Sequence, residues 1–135
     1  MRRALALCLS AAALAGCNGG TVDKHALKRD AEKVSSLATE GQLLAKDMAK
    51  GASTKNFARV HAQELSGAAA NFADALATRP IAPGIAPQVH KLSRLAAKIS
   101  TQLNQLHLHP TNRAVAKAME QPLKDGADAA DRLSK

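Results

Sequence analysis

Five histidines (His25, His61, His90, His107 and His109) and two cysteines (Cys8 and Cys17) are the side chains of this chain best suited to holding a metal or taking part in covalent chemistry. A metal site built on helices needs its ligands on one face, three or four residues apart. No two of the histidines have that spacing. His107 and His109 would share a metal only where the helix has opened ahead of Pro110. In His61-Ala62-Gln63-Glu64 a histidine and a glutamate stand three apart, which makes a local pair. Neither Glu-x-x-His nor His-Glu-x-x-His occurs. Haem would need axial ligands aimed inward. Met48 and Met119 do fall on apolar stripes, where methionine fills core space. No Gly-x-Ser-x-Gly elbow, Ser-x-x-Lys or phosphate-cradling glycine loop is present. Ser93 and Ser100 read as surface residues of a regular helix. The expectation is a non-enzymatic protein with solvated or capping histidines, without catalytic or metal-ligating residues.

Cys17 stands in a different setting. Arg2 and Arg3 precede an apolar run, Ala4 to Ala13, interrupted only by Ser10, and Leu14-Ala15-Gly16 then lead to Cys17. The run is shorter than the ~20 residues that a bilayer-spanning helix needs. A charged start, a short apolar core and small residues before a cut site predict an export signal over residues 1–16. Leu14-Ala15-Gly16-Cys17 resembles the lipobox of bacterial lipoproteins, and the resemblance covers Met1 to Cys17. It implies a diacylglyceryl group on the Cys17 thiol, cleavage between Gly16 and Cys17, and fatty acylation (palmitate, for example) of the new amine. No other cofactor is expected. Asn18 departs from the aspartate that commonly retains such proteins at the inner membrane, so the resemblance implies the outer membrane, facing the periplasm. Cys8 would leave with the signal and Cys17 would become a thioether, so neither a free thiol nor a disulfide is expected.

Composition narrows the fold. Alanine supplies 30 of the 135 residues, and Phe57 and Phe72 are the only aromatic side chains apart from the histidines. Such a chain favours helix over sheet and gives a thin core, because a buried alanine removes little apolar area from water. The formal charge is +8, and with Arg2 and Arg3 removed 17 basic residues face 11 acidic ones, a charge of +6. Without Trp or Tyr there is no platform for stacking bases, and nucleic acid is not an expected partner.

Residues 17–21 read as the lipidated cysteine and a flexible tether, followed by a domain over 22–135. Four helical segments are predicted. The first, 22–50, carries Leu27, Val34, Gly41 and Met48 at intervals of seven, with Ala31, Ala38 and Ala45 on an adjacent line; Asp23 is its expected cap and Gly51 its stop. The second, 54–78, carries Ala58, Ala62, Leu65, Ala69, Phe72 and Leu76. Residues 80–87, with Pro80, Pro83 and Pro87, cannot continue it. The third, 87–106, has the clearest stripe: Val89, Leu92, Leu95, Ala96, Ile99, Leu103 and Leu106. The fourth, 112–133, carries Val115, Met119, Leu123, Ala130 and Leu133, and Pro122 inside it predicts a kink or break with a frayed end. Short connections make neighbouring helices antiparallel. The predicted fold is all-α, a small up-down four-helix bundle.

Two features point toward function. Gly41, Gly67 and Gly126 fall within predicted helices, where glycine costs ~1 kcal/mol relative to alanine; they fit either close helix packing or a notch for a ligand. Lys91, Arg94 and Lys98 share one face of the third helix and are the candidate contacts for an anionic surface. The leading expectation is a lipid-anchored envelope protein that binds a protein partner or an anionic envelope polymer. The alternative is a carrier of a small ligand, metal or haem in the bundle interior.

Overall fold

The computed structural model describes residues 20–135. Four helices account for most of them: α1 (Lys24–Lys50), α2 (Lys55–Thr78), α3 (Ala86–Leu108) and α4 (Arg113–Leu133). They form an antiparallel bundle, and no strand occurs among the described residues. The segment expected to be an export signal, with Gly16 and Cys17, lies outside the described residues.

Local chemistry sets the helix ends. Asp23 accepts a hydrogen bond from the Ala26 N–H at 2.7 Å, closing the first turn of α1. That bond holds the Asp23 carboxyl below the usual carboxylate range, with the charges of His25 and Arg29 acting in the same direction. Gly51 ends α1 in the left-handed region at φ 72°. The N–H of Ala52 then reaches the Asp47 carbonyl and that of Gly51 the Met48 carbonyl, which satisfies two of the orphan acceptors. Thr54 caps α2 through the Phe57 N–H, and Asn112 caps α4 through the Ala114 and Val115 N–H groups. Helix α3 starts at Ala86 after Ile85, with no side-chain cap and with Pro87 in its first turn.

The predicted stripes supply most of the core, although Phe72, Leu95, Val115, Met119 and Leu133 are only half-buried. Val34, Ala31, Ala38 and Ala45 of α1, Leu76 of α2, Val89, Leu92, Ile99, Leu103 and Leu106 of α3 and Leu123 of α4 are buried. Helix α1 packs chiefly on α4, α2 packs chiefly on α3, and α1 touches α3 across the middle. Helix α3 contributes more buried leucine and isoleucine than any other helix. The facing helices contribute alanine and glycine, which let their backbones approach. Gly41 receives the Leu103 side chain of α3, and a Cβ there would also meet Leu123 at 3.5 Å. A Cβ at Gly126 would meet Ile99 at 3.1 Å. Close packing is therefore the role of these two glycines. Gly67 has nothing within 4 Å of where its Cβ would be and serves no such purpose.

Two expectations are corrected. Helix α4 runs unbroken through Pro122 to Leu133. Proline removes one backbone donor, but Ala116, Leu123, Gly126, Ala127 and Ala130 are buried on both sides of it, and that packing holds the helix together. The second concerns the serines. Ser100 donates to the Ser66 carbonyl and Ser66 to the Ser100 carbonyl, each at 2.9 Å, while the two hydroxyl groups lie 3.2 Å apart. Ser93 donates to the Ala73 carbonyl at 2.9 Å. Ser93 and Ser100 are thus half-buried stitches between α2 and α3.

The glycines give a paired prediction. Gly41→Val drives side-chain atoms into Leu103 and should lower unfolding free energy in urea by about 1–3 kcal/mol. Gly67→Ala adds a methyl group in open space and should raise it by about 0.5–1 kcal/mol.

Candidate functional site

The segment leading into α1 is fastened to the opposite side of the bundle. Val22 is fully buried and forms an isolated parallel bridge with Ile81. Its N–H donates to the Pro80 carbonyl at 2.8 Å, and its carbonyl accepts from the Ala82 N–H at 2.9 Å. Arg79, which caps the C-terminal end of α2, completes the clasp. Its Nη1 lies 3.1 Å from Oδ2 of Asp30, and its Nε donates to the Gly20 carbonyl at 3.1 Å. The two charged side chains keep only 14% and 11% of their surface in water. One guanidinium therefore ties the end of α2 to both α1 and the chain entering it. The tether expected to be flexible through Thr21 is held from Gly20 onward.

Beside this clasp, at the same end of the bundle, lies a cleft of about 520 Å³. Lys24, His25 and Lys28 of α1 line it, with Arg132 of α4 and Lys135 just beyond, and Gln88 of α3. Leu27, Ile85 and Leu133 give it an apolar floor. No acidic side chain lines it among the described residues. Three carboxylates at this end of the chain's helices are engaged elsewhere: Asp23 with the Ala26 N–H, Asp30 with Arg79 and Asp128 with Lys124 at 2.8 Å. The last contact raises the Lys124 ammonium and lowers the Asp128 carboxyl from their ordinary values, chiefly through their mutual hydrogen bond.

The predicted basic face is exposed as a whole: Lys91, Arg94 and Lys98 are all exposed on α3. Gln88, Lys91, Leu95, Lys98 and Gln102 follow at alternating spacings of three and four, the repeat of one helix face. Gln88 borders the end cleft. Leu95, Lys98 and Gln102 border a second groove of about 240 Å³ against Pro122, Asp125 and Gly126 of α4. Lys91 therefore extends the cleft along α3, whereas Lys98 shares its groove with Asp125.

The histidines are spread over the molecule. His61 lies between α1 and α2, with Nε2 2.9 Å from Glu40 and Nδ1 3.8 Å from Glu64, and stacks on Phe57 at 5.3 Å between ring centroids. The Glu40 contact joins separate helices and leaves no trace in local spacing. His107 Nδ1 lies 3.0 Å from the Arg59 carbonyl of α2. His25 belongs to the cleft, and His90 and His109 are exposed. Among the described residues, no three His, Cys, Asp or Glu side chains are grouped so that they could hold a metal ion. No described helix is long and apolar enough to cross a membrane. Met48 is buried among core residues and Met119 packs against them.

Sequence reasoning did not single out Arg79, Asp30, Lys24, Lys28 or Arg132. The first two lie 49 residues apart, and the cleft joins both ends of the folded domain. No family model, curated protein or solved structure matches the chain.

The clasp is testable. Asp30→Leu alone leaves the Arg79 charge in a nearly dry site and should cost about 3 kcal/mol of stability in urea denaturation. The double variant Asp30→Leu, Arg79→Met should recover most of that loss.

Proposed function

We propose that the chain is a lipid-anchored lipoprotein of the bacterial envelope, carried by acyl chains on Cys17, and that the bundle acts by binding and not by catalysis. Its binding partner is an anionic component of the envelope. The observation that carries this reading is the place where the folded domain begins. Gly20 is already held by Arg79 and Val22 is fully buried, so only Asn18 and Gly19 separate the lipobox cysteine from the bundle. An anchor at Cys17 would bring the basic end cleft to the membrane surface. The cations of that cleft, without an ion-pair partner among the described residues and continued by Lys91, supply the attraction for polyanions. The interior offers less: Leu103 and Ile99 fill the notches at Gly41 and Gly126.

The anchor is tested by expressing the full precursor and its Cys17→Ala variant in a Gram-negative host, then fractionating cells and weighing the protein. The unsubstituted chain should reach the outer-membrane fraction, lacking residues 1–16 and heavier than the peptide by its acyl groups. The variant should lose both the added mass and the membrane association. A variant found in the membrane, with its mass changed by the substitution alone, would overturn the reading.

A further inference from the structure

We propose that the cleft formed by Lys24, Lys28, Arg132 and Lys135 seats the phosphate of an anionic lipid headgroup in the membrane that carries the anchor. This rests on the lipoprotein reading and adds to it a site, a ligand and an orientation. Four cationic side chains and His25 surround a cleft of about 520 Å³ with no acidic side chain in its lining. Asp131 precedes Arg132 in the chain but does not line the cleft. The floor is apolar where Leu27 and Ile85 are buried and Leu133 is half-buried. Cations at the rim and apolar carbon beneath match a phosphodiester joined to a glycerol backbone. A sugar polymer would favour the faces of Trp, Tyr or Phe, and none of these lines the cleft.

Position makes the assignment specific to a lipid. Gly20, held by Arg79, is three residues from Cys17, a reach of about 10 Å at full extension. That is about one Debye length at physiological salt, where attraction to the membrane charge has fallen to about a third, so the cations act on it fully only once the cleft meets the headgroups. Each basic side chain near an anionic leaflet strengthens attachment by about fivefold. The clasp at Val22 and Arg79 prevents the domain from turning this end away from its tether.

The test uses the full-length protein as the cell processes it, with its mass recorded first, in nanodiscs of phosphatidylcholine alone or of equal parts phosphatidylcholine and phosphatidylglycerol. The rate of modification by an amine-reactive reagent is read at each lysine by peptide mass spectrometry. In the anionic discs Lys24, Lys28 and Lys135 should react about fivefold more slowly than in neutral discs, and salt of about 1 M should remove the difference. Lys50, Lys55 and Lys117 should react alike in both. The Lys28→Gln, Arg132→Gln variant should lose most of the protection at Lys24 while keeping its helical circular dichroism. Equal rates at the cleft lysines in both discs, uniform slowing of all lysines, or protection by inorganic phosphate without protection by phosphatidylglycerol would each overturn the proposal. If the recorded mass shows no acyl group, the same measurement is made with vesicles of these two compositions. Cleft protection there would keep the site and remove the anchor, whereas an acylated protein without protection would remove the site and keep the anchor.

Discussion

One guanidinium decides how this bundle is tied together at the end where the chain enters it. Arg79 bonds to Asp30 of α1 and to the Gly20 carbonyl, and both charged side chains are largely withdrawn from water. Removing either partner strands a charge, so the pair holds mainly because breaking it is costly. Around it the chain adds a bridge, Val22 to Ile81, in a loop whose prolines forbid helix. The clasp makes the chain from Gly20 onward part of the domain. It also fixes the relation between the direction from which the chain arrives and the face that the bundle shows on that side.

The rest of the bundle answers to a shortage of large apolar side chains. Alanine cannot fill space, so the helices must come close, and the means differ between pairs. On the α1–α4 side, Gly41 and Gly126 open notches that α3 fills with Leu103 and Ile99. On the α2–α3 side, serine replaces bulk with hydrogen bonds: Ser66 and Ser100 exchange bonds with each other's carbonyl groups, and Ser93 reaches Ala73. A hydroxyl bonded to a carbonyl of the neighbouring helix fixes register as well as distance. Core and clasp therefore divide the work, one setting how the helices lie and the other where the chain enters.

How much of this is legible in the sequence depends on the range of each interaction. The stripe of α3 reads plainly because Leu92, Ile99, Leu103 and Leu106 carry strong apolar signal at helical spacing, and the caps Asp23 and Asn112 act within three residues. In α4 the buried face includes Ala116, Gly126 and Ala127, whose small side chains leave the pattern faint. Its continuity through Pro122 depends on packing that no local rule contains. Ser93 and Ser100 look like surface residues because their partners lie on another helix. The Asp30–Arg79 pair and the Glu40–His61 contact are hidden for the same reason. The end cleft is the furthest from reach, since it joins the first turn of α1, the first turn of α3 and the last turn of α4. Of Lys91, Arg94 and Lys98, legible as a helical face, only Lys91 extends it.

With an anchor at Cys17, the clasp and the cleft would stand the domain on the membrane by a defined end. Helix α1 has 27 residues and is about 40 Å long, so its two ends would lie at very different heights above the lipid. The most direct measurement places a nitroxide at Pro83→Cys, in the exposed loop by the clasp, or at Ala52→Cys, in the exposed turn at the far end, of the lipidated protein in anionic vesicles, and reads each label's height above the headgroups. Pro83 should lie near the headgroups and Ala52 about 40 Å further out. Equal heights for both labels, or Ala52 nearer the lipid, would contradict it.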